Sequence, residues 1–255
     1  MKARTVRSMF VLDENTPREI APLAWMLGQW RGWGVIAGSH AAPATPDSSG
    51  ESDQNTPATS ADSDDVPDQM VIEEITCEAV GTQMRMVTRI YSASSRVQSL
   101  DPSASTEEGL AALVEQDLIN EETVYVSVMP TTQEQPPPGQ FQTRELTASG
   151  ADQKGLATLW AGVSMGPRVR MISDAIARSP HAQPVEEASR MFGLVAGELM
   201  WAQDVTMVGA GESITSISGR LMRIDEGDAV ASDSARTPSN AAANHGGVDA
   251  QDSDD

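Results

Sequence analysis

The stretch APLAWMLGQWRGWGVI, residues 21–36, decides the fold, because a helical turn and a glycine-rich strand follow each other within it. It holds three of the chain's five tryptophans. Pro22 suits a first helical position, since the missing N–H has no partner there in any case. Gly28 can adopt the backbone conformation that ends a helical turn. The stretch therefore predicts a short helix over Pro22–Leu27 and a strand that starts at Gly28.

Glycine then recurs every second residue, in the pattern Gly28-x-Trp30-x-Gly32-x-Gly34. Residues with a period of two lie on one face of a strand. A face without side chains lets the strand bend sharply or lets another backbone come close. Small closed β-barrels often begin with a bent strand behind a helix, so the pattern favours barrel closure over a ligand contact.

Short runs of β-branched and apolar residues predict further strands along most of the chain. The ten predicted strands cover about 28–37, 70–77, 82–91, 123–129, 141–146, 155–163, 168–176, 185–195, 198–207 and 213–224. Ser179–Pro184 is predicted to be a turn, and residues 95–110, which are rich in serine and acids, are predicted to be a loop. Many short strands with few helical stretches indicate an all-β barrel or sandwich.

The negative charge of the chain is concentrated in two segments. Of the net charge of −20, residues 38–69 contribute −7 (seven acids, no Lys or Arg) and residues 225–255 contribute −7 (eight acids, one Arg). Neither segment has enough large apolar side chains to offset the entropy of ordering, so both are predicted to be disordered. The predicted organisation is a flexible lead-in over 1–20, a barrel domain over 21–224 with 38–69 as an insertion, and an acidic tail over 225–255.

Several classes of protein are disfavoured by composition. The strong negative charge argues against non-specific binding to nucleic acid or to anionic membranes. The single cysteine, Cys77, excludes an intramolecular disulfide. The apolar run Met9–Leu12 is too short for a signal peptide, and no run approaches a membrane span. The sequence therefore predicts a soluble cytoplasmic protein.

Three motifs, in order along the chain, resemble the nitrobindin family, whose members are also called fatty-acid-binding-protein-like and occur in actinobacteria. The first is GQWRGWG, residues 28–34, preceded by LAWML, residues 23–27. The second is residues 173–178 followed by MFGLVAGELMWA, residues 191–202, and the third is GRLMRI, residues 219–224. The resemblance implies a calycin-like antiparallel β-barrel of about ten strands with an internal pocket.

The same resemblance implies ferric haem (haem b) held by one histidine of the last strand, with nitric oxide binding and peroxynitrite isomerisation as family activities. Counting backward from Gly219, that histidine position holds Ser216 here. The family's other pocket histidine falls at Ala79, and a lysine near the haem rim falls at Gln183. A serine hydroxyl is a poor iron ligand beside imidazole or thiolate. We therefore expect no haem in this chain, and we expect Ser216→His to restore haem affinity in part.

Few other residues could ligate haem iron. His40 and His245 lie in the acidic segments, and His181 lies in a proline-flanked turn, where a surface position is expected. Cys77 shares a strand face with Ala79 and could offer a thiolate, although a lone buried cysteine is usually an apolar filler. The sequence contains no Ser-His-Asp set with plausible strand placement, no Cys/His metal cluster and no phosphate-binding glycine loop.

One contact is predicted in detail. Ser216 and Arg220 lie four residues apart on the last strand and therefore share a face. If that face lines the pocket, Arg220 points inward near the closed end of the barrel. The ring of Trp30 would then hold it by a cation–π interaction, and Arg220 would help to close the barrel.

Three hypotheses for the function follow from the sequence. The first is a nitrobindin-like barrel that has lost haem binding and has an empty pocket or a small apolar ligand. The second is a residual haem protein of the peroxynitrite isomerase type that uses another ligand. The third is an interaction protein whose acidic segments recruit a basic partner. The sequence leaves enzyme activity open while favouring its absence, and it predicts no oligomeric state.

Overall fold

Ten antiparallel strands form a closed barrel in this structure, a computed structural model that describes residues 16–38, 66–98, 100–131, 137 and 140–224. Each strand pairs with its sequence neighbours, and β1 pairs with β10. This arrangement confirms the predicted barrel of about ten strands. The strands are β1 (Gly28–Ile36), β2 (Gln69–Val80), β3 (Gln83–Ser95), β4 (Leu113–Val128), β5 (Thr143–Asp152), β6 (Leu156–Met165), β7 (Arg168–Arg178), β8 (Val185–Val195), β9 (Glu198–Met207) and β10 (Ser213–Ile224). A 3₁₀ helix (Arg18–Met26) precedes β1, and α1 (Thr106–Ala112) precedes β4.

The 3₁₀ helix covers one end of the barrel with apolar side chains. Ile20, Leu23 and Met26 are almost completely buried in the main hydrophobic core. The helix begins at Arg18, which is earlier than the predicted start at Pro22 and lies within the expected lead-in. Ile20, in this additional part of the helix, already contributes to the core. β1 begins at Gly28, as predicted, and the φ of +113° there is a conformation that glycine adopts without strain.

The two ends of the barrel are named by what borders them. The helix end is the one at which β1 begins and β10 ends, beside the 3₁₀ helix. The distal end is the one at which β1 ends, at Ile36, and β10 begins, at Ser213. Apolar side chains of all ten strands fill the interior between the two ends.

The glycines of β1 permit close packing, as their spacing predicted. A Cβ atom on Gly32 would overlap the backbone of Arg220 in the neighbouring strand. A Cβ atom on Gly34, or on Gly219, which is its partner in β10, would overlap the carboxyl group of Glu73. The paired glycines therefore leave room inside the barrel for the Glu73 side chain.

Helix α1 lies in a segment that the sequence analysis predicted to be a loop, and that prediction is wrong. The Ser105 hydroxyl accepts from the backbone N–H of Glu108, and the Glu108 carboxylate accepts from the backbone N–H of Ser105 at 2.9 Å. This capping box starts the helix, and Ser105-x-x-Glu108 was its signal in the sequence. The helix packs on the outside of β1, where Gly109 lies against the ring of Trp33.

Strand β4 is longer than predicted, because it begins at Leu113 rather than at Thr123. The register between β3 and β4 shifts on both sides of Tyr91. Each irregularity interrupts the alternation of apolar and polar residues by which a strand is recognised in a sequence. The first half of β4 therefore carries no strand pattern of period two.

Some predictions fall outside the described residues. The predicted disorder of segments 38–69 and 225–255 stays a prediction for residues 39–65 and 225–255, which lie outside the described residues, whereas Gln69 begins β2. The ends of the first segment lie side by side, since the backbone N–H of Gly38 donates to a carboxylate oxygen of Asp68 at 2.9 Å. Within the described ranges, no helix combines the length and apolar character needed to cross a membrane.

Candidate functional site at the distal end of the barrel

A buried arginine occupies the barrel interior towards the distal end. Nη1 of Arg190 (β8) lies 2.6 Å from Oε2 of Glu122 (β4), and its Nε donates to Oε1 of Gln203 (β9) at 2.6 Å. The guanidinium carbon lies 4.6 Å from the ring centroid of Trp160 (β6). The Arg190 and Glu122 side chains are only 9% and 11% exposed. These four side chains, which we call the Arg190 network, join four strands across the interior.

The chemistry of the Arg190 network explains how a charge can lie inside the barrel. A buried ion pair recovers its desolvation cost only with good geometry and further hydrogen bonds. Arg190 has the Glu122 carboxylate 2.6 Å from Nη1, in an ion pair that is not aligned as a hydrogen bond, together with a hydrogen bond from Nε to an amide oxygen at 2.6 Å and an aromatic face beneath it. The aromatic face attracts the cation by its quadrupole. Removing any one partner would leave a buried charge incompletely compensated.

A small cavity remains beside the Arg190 network. Its volume is about 70 Å³. Small-molecule pockets usually measure about 300–1,000 Å³. Asn120 Oδ1 and Trp160 Nε1 are buried there without a hydrogen-bond partner among the described residues. The cavity has a mixed polar and apolar lining, and its unpaired polar atoms could bind about two water molecules, at roughly 30 Å³ each. Its polar lining residues are Thr88, Asn120, Glu122, Asp152, Thr158, Arg190 and Gln203.

Ser216 borders this site without lining the cavity. It lies at a β-bulge, where the register of β10 against β9 shifts between Thr215 and Ile217. Its Oγ donates to the carbonyl oxygen of Gln203 at 3.1 Å and accepts from Nε2 of the same residue at 3.4 Å. Ile217 takes the cavity-lining position. Ser216 therefore reaches the Arg190 network only through Gln203.

The other two positions taken from the family resemblance are separated in the structure. Gln183 is exposed in the turn 179–184, which leads into β8 at the distal end. Ala79 is exposed near the end of β2, paired with Met84, at the helix end. The fold thus brings Ser216 and Gln183 to one end of the barrel and leaves Ala79 at the other.

Neither of the alternative iron ligands within the described residues is placed to ligate a metal in the cavity. Cys77 is buried in β2 opposite Gly28, towards the helix end. Burial raises the pKa of its thiol to about 12, although the nearby charge of Arg223 opposes the shift, so the thiol is protonated. His181 is exposed in the turn 179–184, as predicted. His40 and His245 lie outside the described residues.

A second buried acid, Glu73 of β2, lies inside the barrel between Gly34 and Gly219. It is 0% exposed, and its Oε2 accepts from Nε1 of Trp201 at 2.7 Å. Its Oε1 has no hydrogen-bond partner among the described residues. Burial raises the pKa of Glu73 to about 7, and the bond from Trp201 opposes the shift. A substantial fraction of Glu73 is therefore protonated at neutral pH.

The predicted pair of Arg220 with Trp30 is wrong. Arg223 takes the place over Trp30, with its guanidinium carbon 4.2 Å from a ring centroid. Arg220 points to the outside of β10, where its Nη1 donates to the carbonyl oxygen of Ala104 at 2.6 Å. The prediction assumed an unbroken alternation from Ser216, but the bulge at that residue breaks it. Arg223 closes the helix end, and Arg220 fastens the segment before α1 to the outer wall.

The sequence analysis missed the buried charged residues, although their spacing contained a signal. Glu73 alternates with the fully buried Val71 and Ile75, and Arg190 precedes the buried Phe192 by two residues. Period-two spacing places each charge on the inner face of its strand. What the spacing could not show is the partner, because each partner lies on a strand distant in sequence.

The residues at the distal end do not fit a haem. The Arg190 network crosses the interior there, and the cavity of about 70 Å³ beside it is far too small for a porphyrin. Neither histidine nor cysteine is among the residues that line it. In the described part of the chain, no group of three or more His, Cys, Asp or Glu side chains is arranged to hold a metal ion.

Comparison with known proteins relates the whole barrel to one family. Residues 19–223 match the family model described as "THAP4-like, heme-binding beta-barrel domain". A protein named ferric nitrobindin-like protein from Kineococcus radiotolerans is 29% identical over 215 residues, which cover 84% of this chain and 97% of that protein. A protein named peroxynitrite isomerase from Renibacterium salmoninarum is 26% identical over 191 residues, which cover 75% of this chain and 82% of that protein.

A solved structure supports the fold. The crystal structure of Rv2717c from M. tuberculosis superposes with a TM-score of 0.50 at 16% sequence identity, covering 83% of this chain and all of that one. At this identity the likeness concerns the fold alone.

Proposed function

The chain belongs to the family of THAP4-like, heme-binding β-barrel domains, and from this premise we propose that it is a nitrobindin-like barrel whose interior is closed to haem. The barrel shares its fold with the solved structure of Rv2717c. Its own charged side chains take the interior space at the distal end. Haem binding, nitric oxide binding and the chemistry that depends on haem iron are therefore absent.

One observation carries the proposal. The Arg190 guanidinium is held from three sides by Glu122, Gln203 and Trp160, and the adjacent cavity measures only about 70 Å³. A porphyrin could enter only if this buried ion pair were broken. Breaking such a pair by removal of one partner is strongly unfavourable, at roughly 3–5 kcal/mol. The binding energy of a haem would have to offset that cost before any affinity remained.

The available donor atoms support the same conclusion. Iron in a haem protein is held by imidazole, thiolate, thioether or phenolate. Ser216 offers only a hydroxyl, which is already engaged with Gln203. The Cys77 thiol is buried and protonated, and His181 lies on the surface. Neither residue lines the cavity.

The proposed loss of haem has a consequence for catalysis. Relatives from Renibacterium salmoninarum and an Arthrobacter species carry the name peroxynitrite isomerase. We expect that the present chain does not accelerate peroxynitrite isomerisation through haem iron, since it has neither space for the macrocycle nor an axial donor beside it. Stopped-flow decay of peroxynitrite with the purified chain and ferric haem should match the decay with haem alone.

A ferric haem titration followed by Soret absorbance tests the proposal. The wild type should show no saturable shift of the haem spectrum. Ser216→His should give weak binding at most, because the Arg190 network still fills the interior. Ser216→His combined with Arg190→Ala should give a clear gain, since it supplies an imidazole and removes the side chain that blocks the space.

A matched control separates this effect from general loosening of the barrel. Arg89 of β3 pairs on the outside with Glu121 of β4, one residue from the internal Glu122. Ser216→His with Arg89→Ala therefore removes an arginine whose partner lies on the same strand, β4, without opening the interior. This control should behave like Ser216→His alone. A tight, saturable haem spectrum from the wild type would refute the proposal. If Cys77→Ala or His181→Ala abolished that spectrum, the second hypothesis, a residual haem protein that uses another iron ligand, would be correct.

A further inference from the structure

An apolar groove crosses the outside of the barrel. Its volume is about 560 Å³, within the range of about 300–1,000 Å³ that is usual for small-molecule sites. Its floor is formed by β8, β9 and β10, and one side is formed by Trp33 of β1 and Pro102, which precedes α1. The groove is distinct from the interior cavity towards the distal end, with which it shares only Trp201 as a lining residue.

Apolar side chains of alternate strand positions line this groove. Met191 and Val195 on β8 and Met200 on β9 point outward, away from the buried positions Phe192 and Trp201. Met191 and Val195 are 58% and 55% exposed. Methionine side chains adapt to irregular ligands and make favourable contacts with aromatic rings. Exposed apolar side chains gathered in a concave surface mark a binding site more often than a plain surface does.

Arginines border the groove on both sides. Arg168 lines it at the start of β7, and Arg170 is the ladder partner of Met191. Neither has an ion pair or hydrogen bond in the described part of the chain. On the opposite side, Arg220 is held by Ala104 and by Glu198, whose Oε2 lies 3.5 Å from Nε. Arg168 and Arg170 therefore place positive charge beside the groove, without an ion-pair partner among the described residues, in a protein of net charge −20.

We propose that this groove binds a small amphipathic anion, with an apolar body against Met191, Met200 and Trp33 and its acidic head beside Arg168. The apolar lining supplies affinity in proportion to the area that it removes from water. The free guanidinium of Arg168 supplies a fork of donors that matches a carboxylate or a sulfonate. An uncharged ligand would leave that guanidinium without a partner.

The dimensions favour a small molecule over a macromolecule. A stable protein interface buries about 800 Å² on each partner, across a surface that is mostly flat. The groove is a short trough, and its arginine borders would repel a second copy of the same surface. The acidic segments of this chain complement the charge, but they contain almost no large apolar side chains to fill the groove.

The test uses two dyes that differ in charge, 1-anilinonaphthalene-8-sulfonate and its neutral analogue N-phenyl-1-naphthylamine, in fluorescence titrations of the full chain. Met191→Glu should weaken binding of the sulfonate dye by about tenfold or more, since it places a carboxylate in the groove. Met165→Glu is the matched control, because Met165 is 48% exposed on the outer face of β6 and does not line the groove. The affinity of Met165→Glu for the sulfonate dye should stay within about twofold of that of the wild type.

A third variant tests the charge. Arg168→Gln should lower the affinity for the sulfonate dye by roughly threefold, as expected for a solvent-accessible ion pair, and leave the affinity for the neutral dye unchanged. Circular dichroism and thermal unfolding of each variant verify that the barrel is intact. Equal affinities of Met191→Glu and Met165→Glu would overturn the proposal, as would equal losses for both dyes in Arg168→Gln. A wild-type dimer that Met191→Glu converts to a monomer would identify the groove as a subunit interface and would also overturn it.

Discussion

At the helix end of the barrel, the interior is filled by Trp30, Met84 and Val126. Arg223 lies over the Trp30 ring and donates to the carbonyl oxygens of Trp25, in the 3₁₀ helix, and of Leu27, which follows the helix. Towards the distal end, the interior also holds charged and amide side chains, Arg190, Glu122 and Gln203, among apolar neighbours such as Val185 and Ile217. Both ends belong to the same ten strands and to one hydrophobic core.

The difference between the two ends shows that the two parts of the interior are held together by different forces. Apolar packing at the helix end depends on shape and volume. A buried ion pair adds little net stability compared with an apolar pair of the same size, but the loss of one of its two partners is costly. The stability of the distal end therefore depends on keeping both partners of the ion pair.

The largest expected effect concerns the Arg190 network. Arg190→Leu should lower the free energy of unfolding by roughly 3–5 kcal/mol, because it leaves the Glu122 carboxylate buried without its partner. Adding Glu122→Leu should recover most of that loss, since the interior then holds two apolar side chains instead of a lone charge. Denaturant unfolding of the single and double variants measures both values. If the double variant were as unstable as the sum of the two singles, the ion pair would not be what couples these residues.

The second effect is a dependence on pH that comes from Glu73. Its pKa is about 7 in the folded chain against an ordinary value of 4.5. Between pH 4.5 and pH 7, Glu73 keeps its proton in the folded state but has lost it in the unfolded state. The free energy of unfolding is therefore highest below pH 4.5 and falls as the pH rises to about 7. The total change is about 3 kcal/mol, at 1.36 kcal/mol for each pKa unit.

Glu73→Gln isolates this contribution, because glutamine keeps an acceptor for Trp201 and does not titrate. As the pH rises from 4.5 to 7, the free energy of unfolding of the variant minus that of the wild type should increase by about 3 kcal/mol. Outside this window the difference should be constant. Urea unfolding at several pH values measures it. A difference that does not vary with pH would show that Glu73 titrates alike in the folded and unfolded states.

The smallest effect concerns closure at the helix end. Arg223→Ala should lower the free energy of unfolding by about 1–2 kcal/mol, because it removes a cation–π contact and a hydrogen bond from its guanidinium to the carbonyl oxygen of Trp25. Arg89→Ala, which breaks only a surface pair, should lower it by less than about 1 kcal/mol. Thermal unfolding compares the two variants. Equal losses would mean that Arg223 does not contribute to closing the barrel.

Local patterns predicted most of the strands and failed in identifiable places. β8, β9 and β10 have the predicted bounds, because runs of β-branched and apolar residues and the glycine turn at Ala196-Gly197 mark them. The first half of β4 was missed because bulges interrupt its alternation. The bulge at Ser216 likewise reversed the predicted facing of Arg220. A bulge depends on the neighbouring strand, so the sequence of one strand does not reveal it.

The sequence by itself determined the barrel and its family. Glycine spacing in β1 reflects a backbone contact that no other residue allows, and period-two alternation decides which side chains face inward. Only the tertiary structure decided how the interior is used. Arg190, Glu122 and Gln203 come from strands far apart in sequence, and the energy of a buried charge depends on how close its partners lie. That distance is set by the closure of the barrel. The sequence could therefore predict an internal pocket but not the ion pair that crosses it.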